Sequence, residues 1–124
     1  MMKRKLTQKK LNNLGKRGEE QAVSFLLKHN YQILETNYRF KRLEIDIIAL
    51  DKDNNELVFV EVKARSNSNF GNPSLAVNQK KLLNLQKAAQ QFLLKKKLDN
   101  MFRFDIIAIS AGKVEHFKNI TAEF

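Results

Sequence analysis

Two apolar segments separated by a short polar turn constrain the fold of this chain more than any other feature. Residues 43–50 (Leu-Glu-Ile-Asp-Ile-Ile-Ala-Leu) become apolar on both faces in their second half, which is typical of a central strand. The turn-forming segment 51–55 (Asp-Lys-Asp-Asn-Asn) follows. Glu56–Arg65 then predicts a second strand, so the two segments together predict an antiparallel hairpin.

Two further segments predict helices. Apolar residues at helical spacing predict one helix over residues 11–29 and a longer one over residues 75–98. Gly15 and Gly18 share the apolar face of the first helix. Because glycine has no side chain to keep a neighbour away, these positions predict a close approach of that helix to a sheet.

The remaining segments complete a mixed α/β sheet. Strands are expected over residues 32–36, Phe102–Ser110 and Lys113–Phe117, with a polar connection through Tyr38, Arg39 and Lys41 between the first of them and the hairpin. The predicted order is αβββαββ, a mixed sheet flanked by helices. We expect a single domain over residues 11–124, preceded by a flexible basic tail over residues 1–10.

The charge of the chain favours nucleic acid as a partner. Its net charge is +10, and the first 17 positions contain basic residues but no acid: Lys3, Arg4, Lys5, Lys9, Lys10, Lys16 and Arg17. An excess of positive charge attracts phosphates and speeds encounter with nucleic acid. A basic surface that only keeps the protein in solution remains the alternative explanation.

Several classes of site and location are excluded or disfavoured. The chain has no cysteine, so it can form neither a disulfide nor a cysteine-ligated metal site. His29 and His116 are isolated in the sequence and predict no histidine metal site, and Asp105 beside Arg103 is interpreted as a structural pair. No apolar run approaches the roughly 20 residues of a membrane helix, and none follows the basic N-terminus, so we expect a cytoplasmic protein with no membrane partner.

The hairpin carries the candidate chemistry. If residues 52–55 form its loop, Asp51 pairs with Glu56, and counting back along both strands places Asp46 opposite Glu61. Opposed residues have Cβ atoms roughly 4.5–5.5 Å apart, where like charges repel each other. A divalent cation between the two carboxylates would convert this repulsion into binding. A register shifted by one residue would separate them onto opposite faces.

The same register sets a second pair. Glu44 lies opposite Lys63, and Lys63 shares a face with Glu61 because residues two apart in a strand point the same way. An amphipathic strand with a solvated polar face would show the same alternation without any chemistry. Both interpretations remain open at this point.

A series of motifs along the chain carries a family resemblance. The matching stretches, in one-letter code, are G-x-x-G-E-x-x-A from Gly15, N-Y-R from Asn37, E-I-D-I-I-A from Glu44, V-F-V-E-V-K-x-R from Val58, F-G-x-P from Phe70, A-V-x-x-x-K from Ala76, R-F-D-I-I-A-I from Arg103 and H-x-x-N from His116. An acid followed across a hairpin by Glu-Val-Lys resembles the PD-(D/E)XK signature of restriction enzymes and archaeal Holliday junction resolvases. The whole chain from Leu14 onward is similar to the YraN-like (UPF0102) family of bacterial predicted endonucleases. It departs from that family at Leu43, where a glycine is usual.

The resemblance implies a restriction-endonuclease-like fold and a metal site. Together with the hairpin geometry it implies that Asp46 and Glu61 ligate Mg²⁺ or Mn²⁺, with Glu44 a further ligand or only a partner for a lysine. Glu19 would complete the site from the first helix, or be an ordinary exposed helix acid. Lys63 would orient the attacking water and stabilise charge on the phosphate, or be a solvated strand lysine.

The resemblance also suggests residues that grip nucleic acid. Lys80 and Lys81, near the start of the long helix, would clamp phosphate, or carry surface charge only. Tyr38, Arg39 and Arg65 flank the hairpin and could hold the backbone.

Two functional interpretations follow. The first is a Mg²⁺-dependent endonuclease that hydrolyses DNA, including branched or junction DNA, for which a homodimer is plausible because two strands need cutting. The second is a non-catalytic nucleic-acid-binding protein that keeps the nuclease fold. A structural partner of another cytosolic protein is a third class, and it predicts no nucleic-acid affinity beyond bulk charge attraction.

Overall fold

The structure, a computed structural model, describes residues 17–65 and 79–120. In this part of the chain the first helix, α1, occupies residues 17–28. The other elements are β1 (Tyr31–Phe40), β2 (Leu43–Asp51), β3 (Glu56–Arg65), α2 (Gln79–Lys96), β4 (Phe102–Ser110) and β5 (Lys113–Phe117). This order matches the predicted αβββαββ succession. The predicted tail over 1–10, the helix segments 11–16 and 75–78 and the motif at Phe70 lie outside the described residues.

The strands of the described chain form one five-stranded mixed sheet in the order β1-β2-β3-β4-β5. Neighbours are antiparallel except for β3 and β4, which run parallel from Leu57–Phe102 to Arg65–Ser110. A parallel pair needs a crossover connection, and α2 lies in the segment that joins these two strands. The predicted α/β class with a mixed sheet is therefore confirmed.

The two helices cover opposite faces of the sheet. Ala22 and Leu26 of α1 belong to one buried cluster, which includes Val58 and Val60 of β3. Phe92 of α2 belongs to another, which includes Phe59, the strand residue between those valines. Because successive side chains of a strand point to opposite faces, β3 is covered on both sides. None of the helices described here has the length and apolar character needed to cross a membrane.

The contact between α1 and β3 is unusually close at one glycine. Gly18 is buried, and a Cβ placed on it would lie 2.9 Å from the Cβ of Ala64. That distance is below van der Waals contact, so only glycine lets the helix approach the strand this closely. The predicted close packing is confirmed at Gly18. The contact brings Glu19, the next residue of α1, towards the open end of the hairpin.

Strand β1 is longer than predicted. The sequence predicted a strand over 32–36 and a polar connection after it, but β1 continues to Phe40, so the prediction of a connection there was wrong. The register with β2 shifts between Ile33 and Glu35, and Asn37 has a left-handed φ of 54°. These irregularities hide the alternation on which strand prediction depends.

Candidate functional site

The hairpin has the predicted register. Strands β2 and β3 pair from Asp51–Glu56 to Ile47–Val60 around a turn over residues 52–55. Asp46 and Glu61 lie directly beyond the last of these pairs, next to Ile47 and Val60. There the Asp46 carboxylate takes a backbone hydrogen bond, since the Val62 N–H donates to Asp46 Oδ2 at 2.8 Å.

The alternation of β2 is interrupted beside Asp46. Ile45 and Ile48 both pack in the cluster under α2, whereas Ile47 packs in the cluster under α1. Strict alternation would place Ile45 and Ile47 on the same face. Strand β2 is therefore irregular at this point, where the Asp46 carboxylate accepts its hydrogen bond from the backbone of β3.

Four acids from three elements interact electrostatically, since the charges of three of them act on Asp46, and we call this cluster the acid centre: Glu19, Glu44, Asp46 and Glu61. The pKa of Asp46 is raised from 3.8 to about 6, chiefly because burial disfavours its charged form. The hydrogen bond from Val62 opposes the rise, and the negative charges of Glu19, Glu61 and Glu44 add to it. The tertiary fold thus brings together the four acids that the sequence nominated as metal ligands.

Asn37 links two members of the acid centre and was assigned no role from the sequence. In the amide orientation that suits its neighbours, Asn37 Nδ2 donates to Glu44 Oε1 at 3.0 Å and to Glu19 Oε1 at 3.3 Å. Asparagine also tolerates the left-handed backbone found here better than most residues. Its place in the Asn-Tyr-Arg motif is the signal that the sequence offers for a role of this residue.

Two lysines lie at the acid centre. The Lys81 ammonium, on α2, is 3.1 Å from Glu61 Oε1, and both side chains are 34% exposed. Lys63 is partly buried on β3, two residues after Glu61. Of the two lysines predicted to clamp phosphate, Lys81 therefore reaches the acids directly, whereas Lys80 is exposed beside it on α2.

The three residues predicted to hold the nucleic-acid backbone lie on β1 and β3, and the two on β1 differ in exposure. Tyr38 is only 8% exposed and packs edge-on against Phe92, with ring centroids 5.3 Å apart. Its side chain belongs to the core, which argues against contact with nucleic acid. The side chain of Arg39 is 78% exposed, and its Nη2 lies 3.3 Å from Glu44 Oε2. Arg65 ends β3, and its side chain lies outside what the structure describes.

The donors of the acid centre suit a magnesium ion. Among residues 17–65 and 79–120, no three His, Cys, Asp or Glu side chains already form a metal-binding group. Magnesium, however, is usually held by one or two carboxylates together with waters and substrate phosphate. Asp46 and Glu61 supply two such carboxylates, and the ammonium of Lys81 lies beside the second of them.

A second cluster of charge lies near the hairpin turn, and we call it the Arg103 network. Arg103 donates to Asp51 Oδ2 at 2.9 Å, to Asp105 Oδ1 at 3.1 Å and to the Tyr31 hydroxyl at 2.9 Å. His116 Nε2 lies 2.7 Å from Asp105 Oδ2. His116, which has no other histidine near it in the sequence, thus meets a carboxylate eleven residues away in the chain. Arg103 and Asp105 form a contact pair, as predicted.

The fold and the acid centre define the class of protein. It is an α/β protein whose mixed sheet and flanking helices are consistent with a restriction-endonuclease-like core. The model of the Uncharacterised protein family UPF0102 matches residues 18–109, and the chain belongs to that family. The recognition of the family from sequence motifs is therefore confirmed.

Relatives in the same family match nearly the whole chain. A UPF0102 protein of Christiangramia forsetii is 47% identical over 87% of this chain and 92% of its own length. One of Flavobacterium psychrophilum is 45% identical over 91% of this chain and 97% of its own length. A third, of Thermodesulfovibrio yellowstonii, is 46% identical over 86% of this chain and 93% of its own length.

Proposed function

We propose that this protein is a metal-dependent endonuclease that hydrolyses phosphodiester bonds in DNA at the acid centre. The observation that carries the proposal is the convergence of Glu19, Glu44 and Glu61 on a partly buried Asp46. Like charges held together in a poorly solvated place lower the stability of a fold. Such arrangements are concentrated at functional sites, where a bound cation compensates them.

Mg²⁺ or Mn²⁺ would be held by Asp46 and Glu61, with Glu19 and Glu44 nearby. When bound, the ion supplies a Lewis acid that polarises the phosphate and makes a bound water more acidic. Asp46 must be ionised to act as a ligand, so its carboxyl has to lose its proton above a pH of about 6. Asn37 holds Glu19 and Glu44 in place by donating to both.

The lysines supply the positive charge that the reacting phosphate needs. Lys81 pairs with Glu61, and a phosphate that enters the site would be a second anionic partner for the Lys81 ammonium. Lys63 lies two residues further along β3 and would stabilise charge that develops on the phosphate oxygens. Positioning and charge stabilisation of this kind account for most of the catalysis of phosphoryl transfer.

A non-catalytic nucleic-acid-binding protein is the second candidate. The net charge of +10 and the neutralisation of Glu61 by Lys81 favour it. The two candidates differ in what the acids do. In a pure binder, removing Asp46 or Glu61 would leave DNA binding unchanged or improve it, because a negative charge near phosphate is lost. In an endonuclease the same changes abolish metal-dependent cutting.

The decisive experiment measures cleavage of single-stranded, duplex and four-way-junction DNA in Mg²⁺, in Mn²⁺ and in EDTA. Wild type is compared with Asp46→Asn, Glu61→Gln and Lys63→Met. Glu115→Gln is the matched control, because Glu115 is an exposed acid of β5, on the far edge of the sheet. We expect metal-dependent cutting in wild type and control, and at least a hundredfold loss in the three variants. Salt-sensitive binding without cutting of any substrate would contradict the proposal and support the second candidate.

A further inference from the structure

A groove of strongly positive character lies between the β1–β2 turn and α2. Its volume is about 380 Å³, and we call it the basic groove; its lining residues are Phe40, Lys41, Arg42, Leu43, Asn84 and Lys87. Three of them are basic, and none of the described residues that line it is acidic. Lys41, Arg42 and Lys87 are all exposed, so their charges are available to a ligand.

The basic groove adjoins the acid centre. A smaller cavity of about 110 Å³ is lined by Glu44, Glu61 and Lys81, and it shares Leu43 with the groove. A chain-like ligand lying in the groove would therefore be directed towards the hairpin acids.

Helix α2 extends the positive surface along the groove. Lys80 precedes Asn84 and Lys87 by four and seven residues, the spacing that places side chains on one face of a helix. At a rise of 1.5 Å per residue, Lys80 and Lys87 are roughly 10 Å apart along the helix axis. Lys80 and Lys87 are therefore spaced so that they can contact different phosphates of one nucleic-acid strand.

Phe40 distinguishes this groove from a simple patch of charge. Its ring is partly buried against the core under α2, and the Lys41 ammonium lies 5.4 Å from the ring centroid. An aromatic ring within a basic groove is the combination with which proteins bind single-stranded nucleic acid, because bases stack on the ring while lysines and arginines contact the backbone. A duplex, whose bases are stacked within the helix, offers no free base to such a ring.

We propose that the basic groove binds a single-stranded stretch of nucleic acid next to the acid centre. Lys41, Arg42 and Lys87 contact the phosphates, and one unpaired base takes the place of the Lys41 ammonium against Phe40. The inference rests on the proposed function in that the ligand is nucleic acid. It adds that the favoured substrate has unpaired nucleotides beside the bond that is cut.

Binding is measured by fluorescence anisotropy in EDTA, with labelled single-stranded and duplex DNA of equal length, at several salt concentrations. The groove variant carries Lys41→Glu, Arg42→Glu and Lys87→Glu together. The control carries Lys28→Glu, Lys52→Glu and Lys113→Glu, three exposed lysines outside the groove that give the same change in net charge. We expect the groove variant to lose at least thirtyfold more single-strand affinity than the control. Its slope of log affinity against log salt should become shallower by about two.

A second variant isolates the aromatic contact. Phe40→Leu keeps an apolar side chain against the core but removes the ring. We expect single-strand affinity to fall about tenfold while duplex affinity changes less than twofold. Thermal denaturation of this variant checks that its fold is intact.

The outcomes separate this inference from the proposed function. Equal losses in the two triple variants, or a wild type that binds duplex as tightly as single strand, would overturn the groove assignment. Selective loss of single-strand binding supports the groove even if no DNA is cut, since binding is measured without metal. Cleavage of dilute single-stranded DNA is also compared between the groove variant and wild type. If the two cut it at the same rate, the groove assignment is overturned and the endonuclease proposal stays intact.

Discussion

The acid centre and the Arg103 network both hold charged side chains against the same five-stranded sheet, and they differ in how the charge is balanced. In the network, Arg103 is 7% exposed and contacts Asp51 and Asp105, which are also buried. The pKa of Asp51 is lowered because hydrogen bonds from Arg103 and Asn54 outweigh the effect of burial. At the acid centre, the pKa of Asp46 is raised because burial and neighbouring acids act together.

The difference indicates what each cluster is for. A buried charge that is paired and hydrogen-bonded contributes to a defined fold, whereas a partly buried carboxylate with acids for neighbours, such as Asp46, lowers stability until a ligand compensates it. The Arg103 network needs nothing from outside the chain. A bound cation would stabilise the acid centre. The difference between the two clusters can be tested by making comparable substitutions in each of them.

The largest effect is expected at the centre of the network. Replacing Arg103 by Met leaves Asp51 and Asp105 buried without their cation and should lower the free energy of unfolding by about 3–5 kcal/mol. Arg39→Met is the matched control, because Arg39 pairs with Glu44 at an exposed site and should contribute less than about 1 kcal/mol. Urea denaturation measures both. Similar small losses in the two variants would remove the distinction between balanced and unbalanced charge.

The same aspartate-to-asparagine change should have opposite effects in the two clusters. Asp105 accepts hydrogen bonds from Arg103 and from the Asn119 N–H, so Asp105→Asn should cost about 2–3 kcal/mol at pH 8. Asp46→Asn keeps an oxygen for the Val62 N–H and removes a charge that the fold disfavours. It should raise stability by about 1–2 kcal/mol, with partial exposure taken into account. Destabilisation by Asp46→Asn at pH 8 would contradict this view of the acid centre.

The gain from Asp46→Asn should depend on pH. In the folded state the pKa of Asp46 is about 6, and the ordinary value is 3.8. Below pH 3.8 Asp46 is protonated in both the folded and the unfolded state, so it does not affect the free energy of unfolding. Between pH 3.8 and about 6 the unfolded state ionises first and is favoured more strongly as the pH rises. Above pH 6 Asp46 is ionised in both states, and its destabilising effect is constant. Thermal denaturation of wild type and variant at pH 4, 5, 6 and 8 should therefore show a difference that grows to a plateau. Asp51, with its lowered pKa, contributes in the other direction, and its stabilisation is lost as the pH falls below 4 in both proteins.

A smaller effect is expected where α1 meets β3. Gly18→Ala places a Cβ 2.9 Å from the Cβ of Ala64, so helix and strand must move apart. Overpacking is partly offset by the better helix propensity of alanine, and the net loss should be about 1 kcal/mol. Ala64→Gly added to Gly18→Ala should restore the spacing. A double variant less stable than the sum of the single changes would show that the contact does not set the distance between the elements.

Much of the hairpin could be predicted because its determinants are local. The turn over 52–55 sets the register, and counting from the turn gives the pairs that the structure has from Asp51–Glu56 to Ile47–Val60. The extension of β1 to Phe40 could not be predicted in the same way. A shifted register after Ile33 and the left-handed Asn37 break the alternation that identifies a strand.

By itself, the sequence determined the order of the elements, the α/β class, the hairpin register and membership of the UPF0102 family, because periodicity, turn chemistry and motif order are properties of neighbouring residues. Only the tertiary structure decided that Asn37 bridges two acids, that Lys81 pairs with Glu61 and that His116 meets Asp105. Each of these contacts joins different elements. Their formation depends on how the strands pair and on how α1 and α2 pack on the sheet, which no local pattern specifies.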